Sequence, residues 1–91
     1  MTPEAKIKAE ISAYLKKIGA YEFRPVQRGL GKTTVDHLAC YKGRFVGIEA
    51  KVWPKMPTPR QARVLANIRD AGGWAIVAHS VLDVKMCLYN G

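Results

Sequence analysis

The sequence predicts a single α/β domain in which a mixed sheet is flanked by helices. The chain of 91 residues is long enough for one domain, and its hydrophobic fraction of 48% and charged fraction of 24% are typical of globular proteins. An amphipathic helix opens the chain, and three strand-like segments follow it. A second helix then precedes another strand-like segment, and a strand–helix–strand crossover of this kind adds a parallel strand to a sheet.

Two segments have the periodicity and the end signals of helices. The first is predicted over Pro3 to Ile18, with Thr2 as its N-cap. Its apolar residues recur every three or four positions and form one stripe, made of Ile7, Ile11, Leu15 and Ile18. The second is predicted from Pro59 to about Asp70, with Thr58 as its N-cap.

Strands are predicted over residues 21–27, 35–41, 44–52 and 74–78. The second and third are joined by the tight turn Lys42-Gly43, which predicts a hairpin. Pro25 indicates an edge or an irregularity in the first strand. The fourth strand is short and apolar, which predicts a central place in the sheet. Residues 81–89 fit either a short helix or a final strand.

The charge balance favours a polyanionic partner. Fifteen lysines and arginines against seven aspartates and glutamates give a net charge of +8, which points to DNA or RNA, although such charge also aids solubility. No apolar run has the roughly 18 residues that a membrane span needs, and the N-terminus lacks the apolar core of a signal peptide. We therefore expect an intracellular protein with no membrane contact.

Three charged residues interrupt the predicted hairpin. Glu49 and Lys51 are two positions apart in one strand, so their side chains point to the same face. Asp36 is about as far from the turn on the preceding strand, so it should lie beside Glu49. Two adjacent carboxylates repel one another unless they are neutralised, and a divalent cation would do this.

With Lys51 beside such a cation, this hairpin has the parts needed to hydrolyse a phosphodiester. The lysine would orient or activate a water molecule, or stabilise negative charge that grows on the phosphate. The alternative is a cross-strand salt bridge of Asp36 or Glu49 with Lys51, because so short a pattern has many chance matches.

Glu4 and Gln61 are further candidates. Glu4 is in line with the apolar stripe of the first helix and would complete an acidic cluster, or it would simply favour the helix dipole from the first turn. Gln61 would orient the attacking water or contact a phosphate. Its alternative role is a capping box with Thr58, and both roles are compatible.

The order and spacing of these residues resemble the virus-type replication-repair nuclease (VRR-NUC) domain. The resemblance covers about residues 4–80. It rests on the segment from Gly31 to Asp36, the run Glu49-Ala50-Lys51, the turn Thr-Pro-x-x-Gln that ends at Gln61, the spacing from Glu4 to Gly19, the hairpin GRFVGIEAK, and Ala71-Gly72-Gly73 before an apolar strand. One departure is Val35, because the family usually has proline before the aspartate.

This resemblance implies a PD-(D/E)xK, restriction-endonuclease-like core of order αβββαβ and cleavage of DNA that depends on Mg²⁺ or Mn²⁺. By the family pattern, the metal is bound by Asp36, Glu49 and the backbone carbonyl of Ala50. The family pattern also makes Lys51 the catalytic lysine, Glu4 the acid of the first helix and Gln61 the supporting amide.

The resemblance also suggests a substrate and an assembly. Stand-alone family members, often phage-encoded, resemble Holliday junction resolvases and tend to be homodimers. We therefore expect an endonuclease that cuts branched DNA, because two symmetric sites match a symmetric junction. The alternatives are a nuclease for plain duplex DNA and a non-catalytic nucleic-acid-binding module of the same fold.

Basic residues around the predicted site are candidates for contacts with DNA phosphates, which position a duplex without reading its sequence. Lys32 is the best single candidate, because its glycine-rich loop leads into Asp36. Any of these basic residues could instead be merely solvated. The full set is Arg24, Arg28, Lys32, Lys55, Arg60 and Arg63.

Overall fold

The computed structural model describes residues 1–25 and 34–89. Within them lie three helices and four strands. The helices are α1 (Pro3–Lys17), α2 (Pro59–Asp70) and α3 (Val81–Tyr89). The strands are β1 (Tyr21–Phe23), β2 (His37–Tyr41), β3 (Arg44–Ala50) and β4 (Trp74–Ala78).

The strands form one mixed sheet in the order β1-β2-β3-β4. The first three are antiparallel neighbours, and β4 is parallel to β3 because α2 carries the chain back across the sheet. This confirms the predicted α/β fold and its crossover. The prediction of a central β4 is wrong, since β4 is an edge strand of the sheet that the described residues form. It is apolar because helices α2 and α3 both pack on it.

Both predicted helix starts are confirmed by their caps. The Thr2 hydroxyl accepts a hydrogen bond from the N–H of Ala5, and the Thr58 hydroxyl accepts one from Gln61. The hairpin turn is confirmed too: Lys42 and Gly43 both have positive φ, of 50° and 76°, as a two-residue turn between twisted strands requires. The ambiguous segment at 81–89 is the helix α3.

The strands are shorter than predicted at the end of the sheet where the charged residues lie. Strand β2 begins at His37, so Asp36 precedes it, and β3 ends at Ala50, so Lys51 follows it. The reason is local, because the Ala50 N–H donates to Asp36 Oδ2, at 2.9 Å. This side-chain oxygen takes the place of the backbone carbonyl that would accept the hydrogen bond if the strand pair were longer. Strand β1 ends at Phe23, well before the predicted residue 27.

The helices cover the two faces of the sheet unequally. One face packs on α1 and α3 around Ile11, Leu15 and Ile48, which are all fully buried. The other face packs on α2, and the smaller core there includes Val35 and Leu65. Val35, in place of the family's proline, is thus a fully buried core residue.

The Ile68 side chain of α2 packs on a glycine in β3. A Cβ at Gly47 would lie 2.5 Å from Ile68 Cδ1, so the Ile68 side chain would have to move to admit a larger residue. None of the helices in the described parts of the chain has the length and apolar character of a membrane span.

Candidate active site

The predicted site residues converge at one end of the sheet. Asp36 precedes β2, Glu49 is near the end of β3, and Lys51 follows that strand. The N-terminus of α1 reaches the same end, because Lys8 in its second turn contacts Asp36. The N-terminus of α2 lies at this end as well. Because β4 is parallel to β3, helix α2 must run back along the sheet from the end of β3 to the start of β4.

Asp36 and Glu49 form the centre of this site. His37 is paired with Ile48, and this register places the residues just beyond them, Asp36 and Glu49, side by side. Glu49 is only 2% exposed. Its burial, and repulsion by the neighbouring carboxylate of Asp36, raise the pKa of Glu49 to about 7.

Glu49 is incompletely satisfied. Its Oε2 lies 3.7 Å from the ammonium of Lys51, which favours the charged form. Its Oε1 is buried and has no hydrogen-bond partner among the described residues. Since most buried polar side-chain atoms have a partner, an orphaned carboxylate oxygen indicates that a group beyond the described residues completes the site.

A divalent cation fits these residues. Mg²⁺ binds to hard oxygen ligands and is usually held by one or two carboxylates, with water and phosphate oxygens completing its shell. Asp36 and Glu49 supply the carboxylates, and the orphaned oxygen of Glu49 is a free ligand atom. No group of three or more acidic, histidine or cysteine residues suited to a metal occurs within residues 1–25 and 34–89.

Lys8 is a member of this site that sequence reasoning missed. Its ammonium lies 3.3 Å from Asp36 Oδ1 and 3.9 Å from Glu4 Oε2, so it bridges the two carboxylates. The i,i+4 spacing from Glu4 is a signal that could have indicated the second contact, whereas the first depends on tertiary packing. Glu4 itself joins the cluster through Lys8, and its side chain is 45% exposed rather than buried with the apolar stripe.

Gln61 takes part in the capping box of α2. Its side-chain oxygen accepts from the Thr58 N–H at 3.0 Å, and its own N–H donates to the Thr58 hydroxyl at 3.2 Å. The capping role is thereby confirmed. Its amide NH₂ group is not used by the capping box, so a supporting role in the chemistry remains a prediction.

Four of the predicted DNA-contacting residues are exposed: Arg24, Lys55, Arg60 and Arg63. Arg24 follows β1, Lys55 lies in the connector after β3, and the two others belong to the first turns of α2. They therefore surround the end of the sheet that carries the carboxylates. Arg28 and Lys32 lie outside the described residues.

A second polar cluster lies on the opposite face of the sheet. The fully buried His37 contacts Glu22 Oε2 through its Nδ1, and the Ser12 hydroxyl donates to the same oxygen at 3.0 Å. Burial lowers the pKa of His37, although its contact with Glu22 opposes that shift. Because side chains alternate along a strand, His37 points to the opposite face from the neighbouring Asp36.

Trp53 and His79 also adjoin the site and were not predicted to belong to it. The Trp53 side chain is exposed, and its ring meets the ring of His79 edge to face, with centroids 5.1 Å apart. Nδ1 of His79 donates to the backbone carbonyl of Lys51 at 3.0 Å. The exposed indole is thereby linked to the backbone of the predicted catalytic lysine.

The fold defined by this sheet and its three helices occurs among solved structures. A structure described as a VRR_NUC domain is similar to this chain with a TM-score of 0.81 and 19% sequence identity, over 98% of this chain and 97% of that one. The fold that the sequence motifs predicted is therefore confirmed as that of a VRR_NUC domain. No family model matches the sequence. No curated protein matches it either.

Proposed function

We propose that this protein is a divalent-metal-dependent nuclease that hydrolyses phosphodiester bonds in DNA. One observation carries the proposal: Glu49 is buried beside Asp36 with an oxygen that no described residue satisfies. Burial of two neighbouring acids costs stability, so their presence indicates a function, and perturbed carboxylates cluster at functional sites. The similarity to a VRR_NUC structure supports the same function.

In this proposal the metal, Mg²⁺ or Mn²⁺, is held by Asp36, Glu49 and the backbone carbonyl of Ala50. The peptide unit that contains the Ala50 carbonyl is held in place by the hydrogen bond from the Lys51 N–H to the Ala78 carbonyl, at 3.0 Å. A bound divalent cation would supply positive charge to the scissile phosphate and lower the pKa of water that attacks it.

Lys51 is the proposed catalytic lysine. Its side chain is only 15% exposed and its ammonium lies 3.7 Å from Glu49, so it is aimed at the point where a phosphate would meet the carboxylates. There it stabilises the negative charge that develops as water attacks phosphorus. Glu4 and Gln61 have supporting roles, the first by holding Lys8 and the second through the amide group that the capping box leaves available.

The proposed substrate is branched DNA, and the proposed assembly is a homodimer. The net charge of +8 and the exposed Arg24, Lys55, Arg60 and Arg63 around the site support a DNA substrate. A dimer is supported by three aromatic side chains on the α2 side of the sheet, Tyr21, Phe23 and Phe45, which are 77%, 61% and 49% exposed. Exposed apolar patches of this kind mark interaction surfaces.

The first experiment measures cleavage of a labelled four-way junction and of a linear duplex with the same sequence. Wild type and Glu49→Ala are compared in Mg²⁺, Mn²⁺ and EDTA, with Glu10→Ala as the control because Glu10 is an exposed acid of α1. We expect metal-dependent cutting, faster on the junction, in wild type and the control but not in Glu49→Ala. Cutting by Glu49→Ala would remove this residue from the site. Binding without cutting would favour the non-catalytic module.

Light scattering tests the dimer. Wild type should have twice the 10.1 kDa mass of the chain, and Phe23→Lys should be monomeric because a charge opposes burial of that surface. A monomeric wild type at the concentrations used for cleavage would contradict the dimer but not the nuclease.

A further inference from the structure

We propose that Trp53 is a nucleobase-stacking site that selects DNA with an unpaired or unstacked base next to the scissile phosphate. This inference rests on the proposed function and deepens it, since it names the feature of the substrate that the site recognises. Four observations on Trp53 carry it: its exposure, its anchoring, its position beside Lys51, and the charge of the segment around it.

Trp53 is unusually exposed for a large apolar side chain. The indole is the largest apolar side chain, and it is 72% exposed here. Tryptophan is strongly buried on average in folded proteins, so an indole presented to solvent indicates a binding surface. The aromatic patch of Tyr21, Phe23 and Phe45 lies on strands β1 and β3, apart from the connector that carries Trp53.

The indole is also anchored. The His79 ring meets it edge to face, and His79 is itself fixed at two points: its Nδ1 donates to the Lys51 carbonyl at 3.0 Å, and its backbone N–H donates to Asp83 at 2.8 Å. A ring held in this way loses little conformational freedom when it binds, which favours recognition.

Position and charge identify the ligand. Trp53 is two residues beyond Lys51, so a base stacked on it belongs to a nucleotide close to the phosphate that Lys51 contacts. Between Glu49 and the second turn of α2 the chain has four basic residues and no acidic one: Lys51, Lys55, Arg60 and Arg63. An exposed aromatic ring in a basic segment is typical of proteins that bind single-stranded nucleic acid, where bases stack and phosphates pair with the cations.

Stacking gives selectivity for DNA shape. In an intact duplex each base already stacks on its neighbours, so its faces are closed to an indole. At a branch point or in a single strand a base can turn outward, and opening it then costs less than in a duplex. Trp53 would therefore strengthen binding to branched or single-stranded DNA and leave binding to a continuous duplex almost unchanged.

The second tryptophan is a matched control. Trp74 begins β4, at the opposite end of the strand from His79, and it is half-buried beneath the Arg44 guanidinium, 4.4 Å from the ring centroid. It packs with the core on the α1 and α3 side. The two indoles thus differ in exposure and in their distance from the candidate active site. Removing one of them lets the fluorescence of the other be measured alone.

The experiment uses the single-tryptophan variant Trp74→Phe and the variants Trp53→Ala and Trp53→Phe. Binding is measured in EDTA by anisotropy of labelled DNA, with a four-way junction, a single strand and a linear duplex. We expect quenching of Trp53 emission by the junction and the single strand. Trp53→Ala should weaken their binding by roughly tenfold while duplex affinity stays within about twofold, and Trp53→Phe should retain part of the effect.

Other outcomes overturn the inference. Unchanged fluorescence, or an equal loss of affinity for all three DNAs in Trp53→Ala, would exclude selective stacking. A change of mass in Trp53→Ala without DNA would mean that a second copy of the chain covers the indole. If wild type binds none of the DNAs, the proposed function fails together with this inference, whereas selective failure of stacking leaves the nuclease intact.

Discussion

Two polar pairs lie back to back in this sheet, and they differ in the partner that each glutamate meets. Asp36 and His37 are adjacent but point to opposite faces, and each meets a glutamate. On one face Glu22 contacts His37 and accepts from Ser12. On the other face Glu49 meets a second acid, Asp36, and keeps an oxygen without a partner in the described chain.

The difference separates a structural pair from a functional one. Glu22 is matched by the Ser12 hydroxyl and by His37, although Nε2 of His37 is buried without a partner among the described residues. Asp36 and Glu49 are both acceptors when ionised, so they satisfy each other only when one of them holds a proton, as the raised pKa of Glu49 reflects. Lys8 and Lys51 compensate their charges only in part, at 3.3 Å and 3.7 Å. A pair of acids that the described residues leave incomplete is suited to bind a cation and a phosphate.

The largest expected effect is on activity. Glu49→Ala should lower the cleavage rate by at least about 10³-fold, since it removes a proposed metal ligand worth several kcal/mol in the transition state. DNA binding, which depends on surface cations, should be nearly unchanged. Single-turnover cleavage and anisotropy on the same preparation would check this. A similar loss of cleavage in Glu22→Ala, corrected for the folded fraction, would erase the distinction between the two pairs.

Lys51→Ala should lower turnover by about 10²-fold, because it removes a charge that stabilises the transition state. Its effect on metal affinity should be small, since an ammonium is not a metal ligand. Calorimetric titration with Mn²⁺ beside the cleavage assay would test this split. A large loss of Mn²⁺ affinity with turnover preserved at saturating metal would assign Lys51 to the metal site instead.

Glu22→Ala should act on stability. It leaves the buried His37 without its carboxylate partner, which costs about 1–3 kcal/mol. For a domain of this size, thermal unfolding should then occur roughly 4–8 °C lower for each kcal/mol lost. Glu10→Ala is the control and should change the free energy of unfolding by less than about 0.5 kcal/mol. Equal stability of both variants would show that the Glu22 cluster is not structural.

Lys8→Met should increase the affinity for Mn²⁺ by about fivefold. The Lys8 ammonium pairs with Asp36 Oδ1, so it competes with a metal cation for that oxygen. A partly exposed ion pair is worth about 1 kcal/mol at most, and this limits the expected gain in Mn²⁺ affinity to about fivefold. Lys17→Met, at an exposed position in the last turn of α1, provides the matched control. Calorimetry decides the matter: unchanged or weaker Mn²⁺ binding in Lys8→Met would mean that Lys8 does not compete.

A further expected effect is a pH dependence of stability. The pKa of Glu49 is about 7 in the folded protein, above its ordinary value of 4.5, so folding takes up a proton between these values. The contribution of Glu49 is fully present below pH 4.5 and is lost as pH rises through 7. Wild type in EDTA should therefore lose stability relative to Glu49→Gln between pH 5 and pH 8. A difference in melting temperature that does not change with pH would contradict the raised pKa.

Much of the site was predictable because its signals are local. The turn at Lys42 and Gly43 set the register of the hairpin, and from that register Asp36 and Glu49 were correctly placed side by side. The cap at Thr58 likewise predicted the capping box with Gln61. Lys8 could not be assigned to the site, because its contact with Asp36 joins two elements that are distant in the chain.

Local signals in the sequence were enough to predict the first two helices, the hairpin and the spacing of the charged residues, since periodicity, caps and turns act over a few neighbouring residues. Tertiary packing determines that β4 lies at an edge, that Glu22 contacts the buried His37, and that Glu49 has an oxygen that no described residue satisfies. The physical reason is that burial and hydrogen bonding depend on which segments pack together. A residue's partners in the fold, rather than its type, decide whether it stabilises the protein or remains available for chemistry.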